Sequence, residues 1–442
     1  MNAHPAAEPL LIVNGRVLDP ASGRDEIADL ALEGGTVRAI GPKLDRSPAA
    51  RVLDAEGCLV TPGLIDPHVH LREPGQTHKE DIASGTAAAV SGGFTTVCCM
   101  PNTAPAIDTP EMVSMVSARA REVGACRVFV VACGTQGRHG ERPAEIGLMT
   151  RAGAVGISDD GDVIASAGVM RAVLAETART GLAFMQHAQE PTLTVGAAMH
   201  AGSVAAALGL GGWPREAEEL IVERDIRLNR AVGCRYHVQH VSSGGTVEIL
   251  RRARAEGQPV SGEASPHHLH LTHEACDGYN TLAKMNPPLR EHADVDALRA
   301  GVADGTITVL ATDHAPHAAE EKSAAFADAP FGIIGLETAL ALYAEALVHA
   351  GAVDWPRLIE LMTVEPAKLC GLDAKGLGSL TVGGPADVAV IDPDLSWTFT
   401  EAECAGKSAN SPFLGRSLRG RAIATVAGGV VRTERERAFA RA

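Results

Sequence analysis

The stretch "PGLIDPHVHLREPG", residues 62–75, sets His68, His70 and Arg72 at alternate positions at the end of an apolar run. On a strand, residues i, i+2 and i+4 share one face, so "HVHLR" presents two imidazoles and a guanidinium side by side. Two neutral imidazoles in register are half of a metal site. An isolated HxH is as readily a polar strand end, so the remaining ligands must come from elsewhere. Asp159 or Asp160 of "ISDDG", His187 of "LAFMQHAQE", His240 of "YHVQHVSS" and Asp313 of "ITVLATDHAPH" each close a separate apolar run. Four histidines and two carboxylates suffice for two divalent ions sharing an oxygen ligand. Alternation separates His237 from His240, and His314 from Asp313, leaving His240 and Asp313 as the ligands. His237, His314 and His267 are expected to be hydrogen-bonded structural residues. His4, His139, His200 and His349 have no ligand spacing and are expected at the surface.

Such side chains must be brought together by a scaffold. Between residues 63 and 377, eight runs that begin apolar and end polar alternate with stretches of helical periodicity such as "GGTVEILRRARAEG". Eight β-then-α units predict a (β/α)8 TIM-like barrel, whose catalytic residues sit at the C-terminal ends of its strands. Residues 1–62 and 378–442 carry short strand-like segments with turn signals and predict one small β-sandwich domain formed from both termini.

Composition narrows the function. The chain has 442 residues, 45% hydrophobic and 21% charged, with a net charge of −15. That charge argues against nucleic acid or an anionic membrane as partner. No run reaches the ~18 apolar residues of a membrane span, and no secretory leader is evident, so a cytoplasmic location is expected. The nine cysteines form neither a CxxC pair nor a disulfide framework and read as small buried residues.

"PGLIDPHVHLREPGQTHKEDIASGTAAAVSGGFTTVCCMPNT", "ISDDG", "HVQHVSS", "KMNPPLR", "ATDHAPH" and "FGIIGLETAL" together resemble the dihydroorotases, most closely the longer bacterial type. The resemblance spans nearly the whole chain. It implies a zinc-dependent amidohydrolase that interconverts N-carbamoyl-L-aspartate and L-dihydroorotate in pyrimidine synthesis, with one or two zinc ions per subunit and six ligands enough for two. His68 and His70 would hold one zinc, His187 and His240 the other, and Asp160 would bridge them. Asp313 would ligate the first and act as acid and base. Arg72, Asn102 and His317 would hold the substrate carboxylate, while Asn286 and the backbone at Phe331 and Gly332 would hold the ring. The family is also compatible with a homo-oligomer and with an aspartate transcarbamoylase complex. In "HAQE" the chain departs from the family, whose members more often place a cysteine and a further acid after the histidine.

Two alternatives fit the residues less well. Hydantoinases and dihydropyrimidinases bridge their metals through a carboxylated lysine, and here no lysine lies between Lys79 and Lys284. A dihydroorotase-like scaffold for aspartate transcarbamoylase should lack part of the ligand set, whereas all six candidates are present.

Overall fold

The computed structural model describes residues 8–45 and 50–435. His4 lies outside these residues. Five strands form near the N-terminus: β1 (Leu10–Asp19), β2 (Arg24–Glu33), β3 (Thr36–Gly41), β4 (Arg51–Asp54) and β5 (Leu59–Pro62). Strand β1 is the branch point. It pairs antiparallel with β2 along its length and parallel with β4 at its start and β5 at its end.

Eight parallel strands follow, each at one of the eight apolar runs: β6 (Leu64–Val69), β7 (Phe94–Cys99), β8 (Arg127–Ala132), β9 (Ala154–Ile157), β10 (Ala183–Gln186), β13 (Arg235–Val238), β14 (Val260–Ala264) and β15 (Val309–Leu310). They are hydrogen-bonded in sequence order from β6 to β15. A bridge between Val69 and His314, with the His70 N–H donating to the His314 carbonyl at 2.9 Å, joins the last run to the first. The chain is therefore a closed (β/α)8 barrel, filled between strands and helices by a cluster that includes Leu64, Phe94, Ile157, Phe184 and Val238. Local signals fix the helix starts. Asp81 caps the helix Ile82–Ser91 in a capping box, and Thr109 followed by Pro110 opens the helix Pro110–Val123.

Between β10 and β13 the chain makes an excursion over the barrel mouth through two short paired strands, β11 (Met199–His200) and β12 (Gly212–Trp213). His200, expected at the surface, is buried there, its Nδ1 3.3 Å from Arg290 Nη1. The excursion packs its apolar face on residues 276–289 and on Phe326, which removes His200 from water. His139 and His349 are exposed as expected.

After the barrel, β16 (Val388–Thr398), β17 (Ser417–Ala427) and β18 (Val430–Glu434) return to the N-terminal strands, β16 pairing antiparallel with β5. The resulting eight-stranded sheet folds over a core of its own, in which Leu10, Leu30, Val60, Val390 and Ile423 meet. Leu377 packs with the barrel residues and Leu380 with this second core, so the chain passes from one to the other between them. No helix among the described residues is long and apolar enough to cross a membrane. All nine cysteines are free thiols, eight of them buried.

Candidate metal centre and active site

The C-terminal ends of β6, β9, β10, β13 and β15 deliver His68 and His70, Asp160, His187, His240 and Asp313 to one buried cluster. His68 Nε2 lies 3.5 Å from Asp160 Oδ1 and 3.4 Å from Asp313 Oδ1. His70 Nε2 is 3.0 Å from Asp313 Oδ1 and 3.6 Å from Asp160 Oδ2. On the other side of Asp160, its Oδ1 is 3.5 Å from His187 Nδ1 and 3.7 Å from His240 Nε2. Asp160 thus stands between the two histidine pairs. Two triads, His68–Asp160–His240 and His68–His70–Asp313, each hold their potential ligand atoms within 4.8 Å of one another, close enough to share an ion.

Asp159 is disposed otherwise. Its carboxylate accepts from the N–H groups of Gly134 at 2.8 Å and Thr135 at 3.0 Å, so it ties two loops together and Asp160 alone enters the mouth.

Backbone geometry explains where strand alternation fails. His237 reaches the barrel interior beneath the cluster, bonded to Ser261 Oγ at 2.8 Å and Glu263 Oε2 at 3.0 Å. By parity His240 should then face outward, but its φ of 30° turns the chain and returns the imidazole to the mouth. Strand β6 likewise ends at Val69, and Arg72 enters the cavity through a φ of 56° rather than by alternation. Asp313 has a φ of 48°. Left-handed backbone at residues other than glycine costs of order 1–3 kcal/mol each and concentrates where side-chain placement matters.

A carboxylate that the pattern reading passed over supports the cluster from below. Glu263 Oε1 lies 2.5 Å from His68 Nδ1, which leaves Nε2 to face Asp160 and Asp313. Burial pushes the Glu263 carboxyl up, but the His68 charge and the hydrogen bonds from His237 and His68 outweigh it and hold it at about 2. The available signal was an acid inside the apolar run "PVSGEAS" at the end of a barrel strand. Such partners orient ligating histidines, and their loss typically costs 10–100-fold in metal affinity. Glu263→Gln is expected to weaken metal binding by about that factor with the fold retained, read by competition with a calibrated chelator. Unchanged affinity would make Glu263 a packing residue only.

Within "HAQE", Gln189 Oε1 lies 3.2 Å from His187 Nε2, so an amide two residues after the histidine meets its ring. Of the histidines expected to be structural, His314 Nδ1 accepts from the Gly335 N–H at 3.2 Å, while His267 is buried with its Nε2 unpartnered.

The fit to a metal is tested by the same atoms. His68 Nε2 is fully buried, has no hydrogen-bond partner among the described residues and faces two carboxylates across more than 3 Å, the mark of an imidazole aimed at an ion. Four imidazoles and two carboxylates are a donor set suited to divalent metals such as zinc.

A cavity of about 280 Å³ opens onto the cluster, and Arg72, Asn102, Asn286, His317 and Phe331 line it. Arg72 is its only lysine or arginine among the described residues. Arg72 Nε donates to the Pro316 carbonyl at 3.2 Å, and Nη2 lies 3.3 Å from His317 Nε2. Burial, followed by the Arg72 and Lys79 charges, pulls His317 down to about 3, so at neutral pH it is an uncharged imidazole. Asn102 joins His70 Nδ1 at 2.9 Å to Asp160 Oδ2 at 3.2 Å. Asn286 Oδ1 is buried and unpartnered. The Gly332 N–H donates to the Lys284 carbonyl at 3.0 Å, so that group is already engaged, and a Cβ at Gly332 would meet the His317 ring at 2.7 Å. A larger cavity of about 850 Å³ lies at the opposite end of the barrel, and among the described residues no histidine or carboxylate lines it.

Comparison with known proteins places this geometry. The family model described as dihydro-orotase-like matches residues 57–246. The dihydroorotase of Trichlorobacter lovleyi is 48% identical over 96% of this chain and 98% of its own length, and that of Pelobacter propionicus 47% over 96% and 99%. Among solved structures, the L-hydantoinase of Arthrobacter aurescens superposes with a TM-score of 0.85 at 28% identity, covering 97% of each chain. Near full-length identity at this level, on a barrel with a His and Asp cluster at its mouth, shows that the chain belongs to the dihydroorotase family.

Proposed function

We propose that this chain is a zinc-dependent dihydroorotase, which closes N-carbamoyl-L-aspartate to L-dihydroorotate and opens the ring in reverse. The observation that carries the assignment of substrate is the single buried guanidinium, Arg72, on the wall of a small cavity beside the ligand cluster. A cyclic amide bearing a carboxylate fits there. Dihydrouracil and hydantoin lack that carboxylate.

When bound, two zinc ions held by His68, His70, His187, His240, Asp160 and Asp313 would polarise the ring carbonyl and lower the pKa of a water from about 15.7 toward 7. The residues of the chain do the rest. Arg72 binds the substrate carboxylate, with the neutral His317 and Asn102 beside it. Asn286 and Phe331 hold the ring, while the engaged backbone of Gly332 fixes the loop behind them. Asp313 takes the proton of the attacking water at a carboxylate oxygen and returns it to the ring nitrogen as the carbon–nitrogen bond breaks. In the closing direction the ureido nitrogen attacks the β-carboxylate and water leaves. Closure consumes one proton, so acid favours dihydroorotate and alkali favours carbamoyl aspartate.

Residues 63–377 form the catalytic unit, with residues 1–62 and 378–442 as its β appendage. Free, buried cysteines suit a reducing compartment, consistent with the cytoplasm.

Arg72→Met tests the assignment. A planar guanidinium pairs bidentately with a carboxylate. A hydrogen bond of this charged kind contributes about 1.5–3 kcal/mol, so kcat/KM for dihydroorotate should fall at least about tenfold. The small activity toward dihydrouracil should hardly change, and metal content should not. Equal losses for both compounds, with metal retained, would assign Arg72 to the fold or the chemistry and not to recognition.

A further inference from the structure

Two lysines stand behind the cavity wall in an unusual setting. Lys284 and Lys322 are both buried, and among the described residues neither ammonium has a carboxylate within ion-pair distance. Their donors go to backbone carbonyls. Lys284 Nζ donates to Phe326 at 2.6 Å, Ala327 at 2.9 Å and Ala329 at 2.6 Å. Lys322 Nζ donates to Pro330 at 2.9 Å, Gly332 at 3.1 Å and the carbonyl of Lys284 itself at 3.5 Å. Five of the six acceptors belong to residues 326–332, a segment with neither helix nor strand to satisfy them. Buried carbonyls must be paired, and an ammonium offers three donors, so two ammonium groups replace the missing secondary structure.

The segment they hold carries Phe331 on the cavity wall. Lys284 Nζ also lies 4.5 Å from the centre of the Phe331 ring, and the ring meets Trp213 edge-on at 5.9 Å. Lys284 stands two residues before Asn286, the other ring-side residue of the cavity. The ammonium pair therefore joins residues 284–286 to residues 326–332 at the point where both line the cavity. Burial, with the Lys284 charge second, pulls Lys322 down to about 7, so keeping its charge inside is costly, and the carbonyls it pairs offset that cost.

We infer that Lys284 and Lys322 are positioning residues that set the ring-binding wall formed by Asn286 and Phe331, through their six backbone carbonyl contacts. The inference rests on the dihydroorotase reading. It predicts a defect in substrate binding and not in chemistry, because neither lysine touches the ligand cluster or Asp313.

The test uses the full-length, zinc-loaded protein and steady-state kinetics with L-dihydroorotate. In Lys322→Met and in Lys284→Met, KM is expected to rise at least about tenfold, the equivalent of ~1.4 kcal/mol of lost binding. In both, kcat should fall less than about threefold, with zinc content and circular dichroism as in the native protein. Lys322→Gln, which keeps two N–H donors, should lie between native and Lys322→Met. A native KM in the methionine variants overturns the inference, and so does a loss confined to kcat. Failure of all three variants to fold or retain zinc also overturns it, since the lysines would then serve the fold alone. Failure of the native protein itself to turn over dihydroorotate defeats the functional reading first and is seen before any variant is compared.

Discussion

Asp313→Asn should fold and bind substrate, yet lose turnover by at least about a hundredfold. General acid–base groups contribute 10²–10⁴ in rate, which corresponds to about 3–5.5 kcal/mol of barrier. Asparagine keeps the shape of the side chain and removes its basicity. The position suits the role. Asp313 Oδ1 is 3.0 Å from His70 Nε2 and 3.4 Å from His68 Nε2, on the wall of the same cavity as Arg72. Burial pushes its carboxyl up, but the His68 charge, the His70 hydrogen bond and the His240 charge outweigh it and hold it well below the ordinary carboxylate range. It is therefore ionised at neutral pH, as the proposed role of base in ring opening requires. The check is single-turnover hydrolysis of dihydroorotate alongside metal analysis of the same preparation. Near-native turnover would reduce Asp313 to a ligand and require another group to carry the proton.

Removal of metal should abolish turnover altogether, and zinc should restore it. The donor set contains only histidines and aspartates, and among the described residues no serine or cysteine lines the cavity to offer another nucleophile. Restoration should release protons. In the metal-free cluster burial pulls His68 down, but the charges of Glu263, Asp313 and Asp160 outweigh it and raise its pKa well above that of an ordinary histidine. His187 is raised in the same sense, against burial, by its hydrogen bond and charge interaction with Asp160. Both bind protons more readily than free imidazole does, and ligation requires neutral nitrogens, so metal and protons compete. Acidification should therefore strip the metal, while zinc added to the metal-free protein near pH 7 in weak buffer should lower the pH. Full activity in a preparation verified to be free of metal would end the hydrolytic mechanism proposed above.

Much of this site could be read in the sequence because a barrel puts its chemistry at strand ends. Each of the eight apolar runs became a barrel strand, and the polar residues closing five of them met at one mouth. What the pattern could not carry was backbone turned out of the strand conformation. Period-two alternation sets His237 and His240 on opposite faces, but a φ of 30° at His240 brings both inward, one as a candidate ligand and one as a prop for Glu263. The choice between Asp159 and Asp160 was likewise local. It depends on the Gly134 and Thr135 N–H groups, which only the folded loop brings to Asp159. Lys284 and Lys322 were hidden for a related reason, since their acceptors are backbone carbonyls and leave no mark in residue types. Asn410 is a similar case. From beyond the barrel, its Oδ1 accepts from the His317 N–H and its Nδ2 donates to the Gly332 carbonyl, each at 3.0 Å.

The central claim is that a metal cluster and Arg72 together make this chain specific for a cyclic amide that carries a carboxylate. The most direct measurement is kcat/KM of the native protein for L-dihydroorotate, dihydrouracil and hydantoin, on one preparation whose zinc content is determined. The account predicts efficient, zinc-dependent turnover of dihydroorotate, faster ring closure at acid pH than at alkaline pH, and little turnover of the other two. A preference for dihydrouracil or hydantoin, in a preparation with its metal in place, would contradict it and assign the chain the activity named for its structural neighbour from Arthrobacter aurescens.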